Sequence, residues 1–317
     1  MSQPTRSGLS GLRRHLGSTS PLALLLLLNN GILFGLFFSI NRVAMTEGVP
    51  LGAYITWQGL GSGLLLLAFS AIFGGLPGLT GAHIKSYFAI GIPGFIVSWG
   101  MAAFIAPKIP IGIFAIINSL TPIITYGLVL TVRLERFHGV RMIGLLLGFG
   151  GVLVLMLPES SLPEREMAIW VLVAIIAPLA LALSTVWMQT LRPAGSSSAG
   201  MGAGVMLASG LIALPIMLAM GDWWFFDNPW GAGHWAMIGA IVVSAILWGV
   251  AFEIVRLVGP LLFTFVDYLA MLTGIGWGIL IFGESHSGWV WSTVGLMLVA
   301  IYLVNKTGDA VRPNTER

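Results

Sequence analysis

The chain contains no cysteine. That absence excludes a disulfide framework, a thiol nucleophile and any cysteine-held metal. Charge is nearly as scarce. Only 9% of the 317 residues are Asp, Glu, Lys or Arg, against about a quarter in soluble proteins. A soluble domain that is 57% hydrophobic would expose apolar patches large enough to aggregate. Composition therefore places the chain among integral membrane proteins. The five histidines, His15, His83, His138, His234 and His286, stand singly in tail and loops. No zinc-protease or serine-hydrolase motif accompanies them, which counts against a membrane-embedded enzyme. No phosphate-cradling glycine loop supports ATP-driven pumping by this chain alone, and no filter-like repeated loop supports a channel.

What is present is a series of oily segments. Ten runs of about 20 residues are each long enough to cross a hydrocarbon core: 21–41, 51–74, 84–106, 109–132, 139–157, 167–189, 201–220, 235–256, 260–282 and 288–305. Short connections such as "EGVP", "APKIP", "RLERFHG" and "GESHSG" separate them. The 42 glycines are roughly twice the usual share, as suits helices that pack backbone to backbone in a membrane. Segments 1–20 and 306–317 read as cytoplasmic tails, and 158–166 as a periplasmic linker. The basic "GLRRHLG" ahead of the first run resembles a signal peptide, but no small-residue cleavage pattern follows, so a retained helix is expected. With the N-terminus inside, only Arg42, Lys108 and Arg165 of the 15 Lys and Arg face out. That asymmetry predicts an N-in, C-in topology; the net charge of +3 marks topology and not a nucleic-acid surface.

Two of the runs share a phrase. "INSLTPIITYGLVLTVRLE" (117–135) and "VDYLAMLTGIGWGILIFGE" (266–284) align at an offset of 149 residues. The alignment pairs Asn118 with Asp267, Leu120 with Leu269, Gly127 with Gly276 and Glu135 with Glu284. Spans 1–5 and 6–10 therefore read as two copies of one unit, 21–157 and 167–305. Five is odd, so the second copy sits inverted. The charges agree, because "RLERFHGVR" is basic whereas "GESHSG" has no Lys or Arg. The fold class expected is all-α integral membrane, ten helices in two inverted five-helix repeats, an architecture of secondary transporters.

Both halves resemble the EamA module of the drug/metabolite transporter superfamily. The first supplies "NSLTPIITYGLVLTVRLE" with "MIGLLLGFGGVLVL", the second "GPLLFTFVDYLAMLTGIGWGILIFGE" with "TVGLMLVAIYL". The resemblance implies a ten-helix carrier whose substrates fall among amino acids, nucleosides, sugars, drugs and other metabolites. Three positions depart from the pattern: Met271 stands for a Pro, Leu134 for a Gly, and Gln58 for an Arg in the second span. The last removes an anion partner and argues against sugar phosphates.

An intramembrane carboxylate is costly and by default a functional candidate. Asp267, seven residues into its span, is expected either to meet a cationic group or proton, or to pair with Arg256 or cap a neighbouring helix. Asn118, Thr121, Pro122 and Thr125 share one helical face. Pro122 removes a backbone donor and frees the Asn118 carbonyl toward a cavity; the competing role for Asn and Thr is interhelical hydrogen bonding. Asn29, Asn30, Ser39, Trp57, Gln58, Ser98, Ser184, Gln189, Ser244 and Tyr268 are weaker candidates. Trp57, Trp99, Trp187, Trp248 and Trp277 lie inside spans, where they either line a path or face lipid. The run "GDWWFFDNPWGAGHW" (221–235) reads as an interfacial aromatic anchor. Glu135 and Glu284, at the membrane edge, are expected to accept hydrogen bonds from helix N-termini and pin the hairpin of each repeat.

These residues predict a multi-pass secondary carrier in a bacterial-type inner membrane, moving a small organic metabolite such as an amino acid between its halves. Its expected partners are that small molecule and membrane lipids, with proton coupling resting on Asp267 and with the chain acting as a monomer or homodimer. No cofactor, metal or nucleic acid enters the expectation. The substrate cavity is expected between spans 3, 4, 8 and 9.

Overall fold

The computed structural model describes residues 21–73, 75–108, 114, 117–118, 120–155, 165–226 and 229–283, with 292, 295–296, 299–300 and 303. Among these every regular element is helical. The helices are α1 (Pro21–Thr46), α2 (Leu51–Phe73), α3 (Gly81–Ile105), α4 (Thr121–Thr131), α5 (Gly139–Leu155), α6 (Arg165–Ala174), α7 (Ile176–Thr190), α8 (Ser198–Met220), α9 (Ala232–Phe263) and α10 (Phe265–Phe282). Seven stretches are long and apolar enough to cross a bilayer: α1, α2, α3, Leu172–Thr190, α8, α9 and α10. They correspond to spans 1, 2, 3, 6, 7, 8 and 9 of the ten expected. The fourth and fifth spans are represented by the shorter α4 and α5, the tenth falls almost wholly outside the described residues, and so does Glu284.

Local chemistry sets many of the ends. Pro21 opens α1, where its missing N–H has no partner to lose. The Ser197 hydroxyl accepts from Gly200 N at 2.9 Å and caps α8. Gly259, at φ 84°, divides α9 just before Pro260. A second break at Thr264 precedes α10, so Asp267 lies in the first turn of that helix, where the dipole favours a carboxylate. In α3 the residues Ile92–Trp99, with Pro93 at their start, are wound as a π-helix. Ser184 Oγ of α7 donates to Ile90 O beside this widened stretch, at 3.0 Å.

The helices pack in a reciprocal way. α1 lies against α9 and α10, α7 lies against α3 and α4, and α2 lies along α8 in the most extensive contact between described helices. The α2–α8 seam is backbone on backbone: a Cβ on Gly59 would sit 2.8 Å from Gly210 Cα. Side-chain bonds tie further pairs: Gln58 Nε2 to Ser244 Oγ at 2.6 Å and Tyr54 OH to Asn41 Oδ1 at 2.6 Å, both buried, and the part-buried Thr273 Oγ1 to Gly31 O at 2.9 Å. Large apolar side chains such as Leu25, Leu64, Ile72, Leu211 and Leu280 (76% exposed) point outward, as a helix bundle surrounded by lipid requires.

Candidate functional site

Asp267 is 7% exposed, and Asn118 Nδ2 donates to its Oδ1 at 3.4 Å. The hydrogen bond therefore joins two residues 149 positions apart, the same two that the sequence phrase aligns. Among the described residues no cationic side chain pairs with Asp267. Arg256 is taken by Glu253 three residues earlier on α9, with Nε to Oε2 at 3.0 Å.

Asp267 forms part of the wall of an internal cavity between α1, α3, α7, α9 and α10. Asn30 and Phe34 enter from α1, Trp99 from the end of the π-helical stretch, Thr185 and Met188 from α7, and Trp248 from α9. The open space is about 30 Å³, room for a water or two and not for an organic molecule. The Trp99 ring centre lies 5.7 Å from that of Phe34 and 5.7 Å from that of Trp248. Trp248 Nε1 is buried with no hydrogen-bond partner among the described residues. Asn30 Nδ2 and Thr185 Oγ1 bond helix carbonyls, Leu247 O at 3.3 Å and Leu181 O at 2.8 Å.

The other sequence candidates scatter. Thr121 Oγ1 donates to Asn118 O at 2.6 Å, so the carbonyl that Pro122 frees is occupied locally. Pro122 is buried, and Thr125 is buried with its hydroxyl unpartnered among the described residues. Tyr268 points away from the cavity into a second cluster with Tyr126, Leu145 and Phe265, its hydroxyl also unpartnered there. Trp57 donates its indole N–H to Trp224 O at 2.8 Å and packs edge-on to Phe225, under the 221–235 loop. Gln58 is committed to Ser244. Trp187 is half-buried against the main core and outside the cavity wall. Thus the cavity draws on spans 1, 3, 6, 8 and 9, and span 4 reaches it through Asn118. Phe34, Thr185 and Met188 went unnoticed in the sequence, where they are ordinary members of oily helices.

Glu135 and the described end of its hairpin form a separate structure. Its carboxylate pairs with the Arg141 guanidinium, which is 4% exposed. Burial pushes the Glu135 pKa up, with Arg141 and then His138 opposing. The partner is thus a side chain of α5 and not the backbone N-terminus expected. His138 N donates to Tyr126 OH at 2.7 Å and closes the same turn.

Met188 also borders a second, more polar chamber of about 420 Å³, lined by Gln189, Arg192, Ser196 and Arg256. Arg192 donates to Phe252 O at 3.2 Å, Ser196 O at 2.6 Å and Ser198 Oγ at 3.2 Å. Ser198 Oγ in turn donates to Glu253 Oε2 at 2.6 Å. Burial lowers the Arg192 pKa, with Glu253 opposing and Arg256 reinforcing the shift.

The described helices are those of a multi-pass membrane protein. Residues 21–157 match the EamA-like transporter family, part of the drug/metabolite transporter superfamily. A solved structure described only as "Crystal structure of protein" is similar at TM-score 0.66 and 15% identity, over 90% of this chain and 98% of that one. At that identity the likeness carries the fold alone. No curated protein sequence matches the chain significantly.

Proposed function

We propose that the chain is a secondary transporter that moves a small organic metabolite, such as an amino acid or related compound, across a bacterial-type inner membrane by alternating access. The observation that carries the reading is the buried hydrogen bond between Asn118 and Asp267 at a cavity wall. Two residues at matching places in two sequence copies meet where a pseudo-twofold axis would pass. The reciprocal packing of α1 on α9 and α10, and of α7 on α3 and α4, supports two inverted five-helix repeats spanning 21–157 and 167–305, ten spans in all. A cavity with only about 30 Å³ of open space fits a stage of such a cycle at which no substrate is held. Met188, shared between the cavity and the Arg192 chamber, is then the side chain that must move to open it toward the basic, cytoplasmic side.

Asp267 is also the residue proposed to carry coupling protons, since its partner Asn118 and the polar wall residues Asn30 and Thr185 do not titrate. Flux in inverted vesicles tests the assignment. Asp267→Asn and Asn118→Ala are expected to cut transport, and wild-type kinetics in both would remove these residues from the path. Flux indifferent to an imposed pH gradient would remove proton coupling.

A further inference from the structure

The chemistry of the cavity wall narrows what it can hold. We propose that the cavity recognises a singly charged organic cation, an amine on a compact apolar body, with Asp267 as counter-ion and Trp99, Trp248 and Phe34 as an aromatic cage. The proposal rests on the transport reading above and narrows its substrate from small metabolites in general to amines, with zwitterionic amino acids disfavoured.

Three observations converge. Asp267 is a buried carboxylate whose described side-chain partner is the neutral amide of Asn118, at 3.4 Å. A buried carboxylate without a cation is costly, and an arriving ammonium offsets that cost by charge-assisted hydrogen bonding. The aromatic neighbours stand in the same wall: Trp99 is 5.7 Å from both Phe34 and Trp248, ring centre to ring centre. Indole faces attract cations more strongly than other rings, and more so away from water. Finally, no Lys, Arg or His is among the described residues of the wall. An anion would find no partner there, and the carboxylate of a zwitterion would be brought beside Asp267.

Entry requires the narrow space to widen. Met188, buried between the cavity and the polar chamber, is unbranched and polarisable, suited to repacking around a ligand. Beyond it Arg256 is neutralised by Glu253, and the Arg192 guanidinium is held by two carbonyls and Ser198.

The test is equilibrium binding of radiolabelled probes to the purified full chain. Phenethylammonium, tryptammonium and tetraethylammonium are the cations; phenylacetate and phenylalanine are the anion and zwitterion of like size. At least one cation is expected to bind tenfold or more tightly than phenylacetate and phenylalanine. Asp267→Asn is expected to weaken it at least tenfold, with Asp267→Glu recovering part of the loss. If Asp267→Asn fails to fold, Trp248 provides the second arm: Trp248→Phe, which keeps a π face, should bind more tightly than Trp248→Leu. Failure of all three cations to bind, or phenylacetate binding as well as they do, overturns the proposal. Cation binding without flux in proteoliposomes would defeat the transport reading and leave cation recognition standing. Flux of phenylacetate or phenylalanine unaffected by Asp267→Asn would do the reverse.

Discussion

Two carboxylates of this protein, Asp267 and Glu135, sit in contrasting company. Glu135 faces the guanidinium of Arg141 at the α4–α5 turn, beside a backbone clamp from His138 to Tyr126. Asp267 faces the amide of Asn118 and an internal cavity. One acid is paired with a cation of the fold; the other meets only a neutral amide among the described residues. The difference teaches that burial alone does not mark a site. A buried carboxylate with a resident cation reads as structure, and one with only a neutral donor reads as an open valence.

The largest effect should come from stripping the resident pair. Glu135→Gln leaves Arg141 buried without its counter-ion, a loss of roughly 3 kcal/mol for a broken buried pair. It should lower the thermal unfolding midpoint of the purified protein by several degrees. Asp267→Asn should do the opposite: it removes a buried carboxyl that no cation among the described residues offsets, so the midpoint stays level or rises while flux falls tenfold or more. Equal destabilisation by the two substitutions would collapse the comparison. Moving the acid across its hydrogen bond, as Asn118→Asp with Asp267→Asn, should return part of the flux lost in the single variant, because the charge stays at the same wall. The smallest effect is expected for Asn118→Ala on stability. An interhelical hydrogen bond in a membrane contributes about 0.6 kcal/mol, which denaturant titration in detergent would read as a slight shift.

Much of this contrast was legible before any geometry. Scarce charge and oily runs identify a membrane protein, and the offset of 149 residues aligns Asn118 with Asp267, the two that then meet. The Glu253–Arg256 pair follows from spacing on one helix. What stayed hidden depends on three-dimensional placement. Trp57 reads as internal from its position in span 2, but its N–H is held on Trp224 O and it stands outside the cavity wall. Phe34, Thr185 and Met188 have no signature because a cavity wall of apolar side chains has the composition of any packed helix. The π-helical winding at Ile92–Trp99 aims Trp99 through a change of period, which side-chain identity does not announce. The break at Thr264 lies beyond the obvious Gly259–Pro260 signal and moves Asp267 into a first helical turn.

The α2–α8 seam has a mechanical consequence. Where Gly59 meets Gly210 the two backbones touch, and on either side Leu60 lies over Gly210 and Leu207 over Gly63. Each of those glycines is the slot for a leucine of the other helix, so the seam is keyed: α2 cannot slide along α8 without lifting both leucines out. A single leucine at Gly59 would wedge the keyed line apart at a place outside the cavity wall.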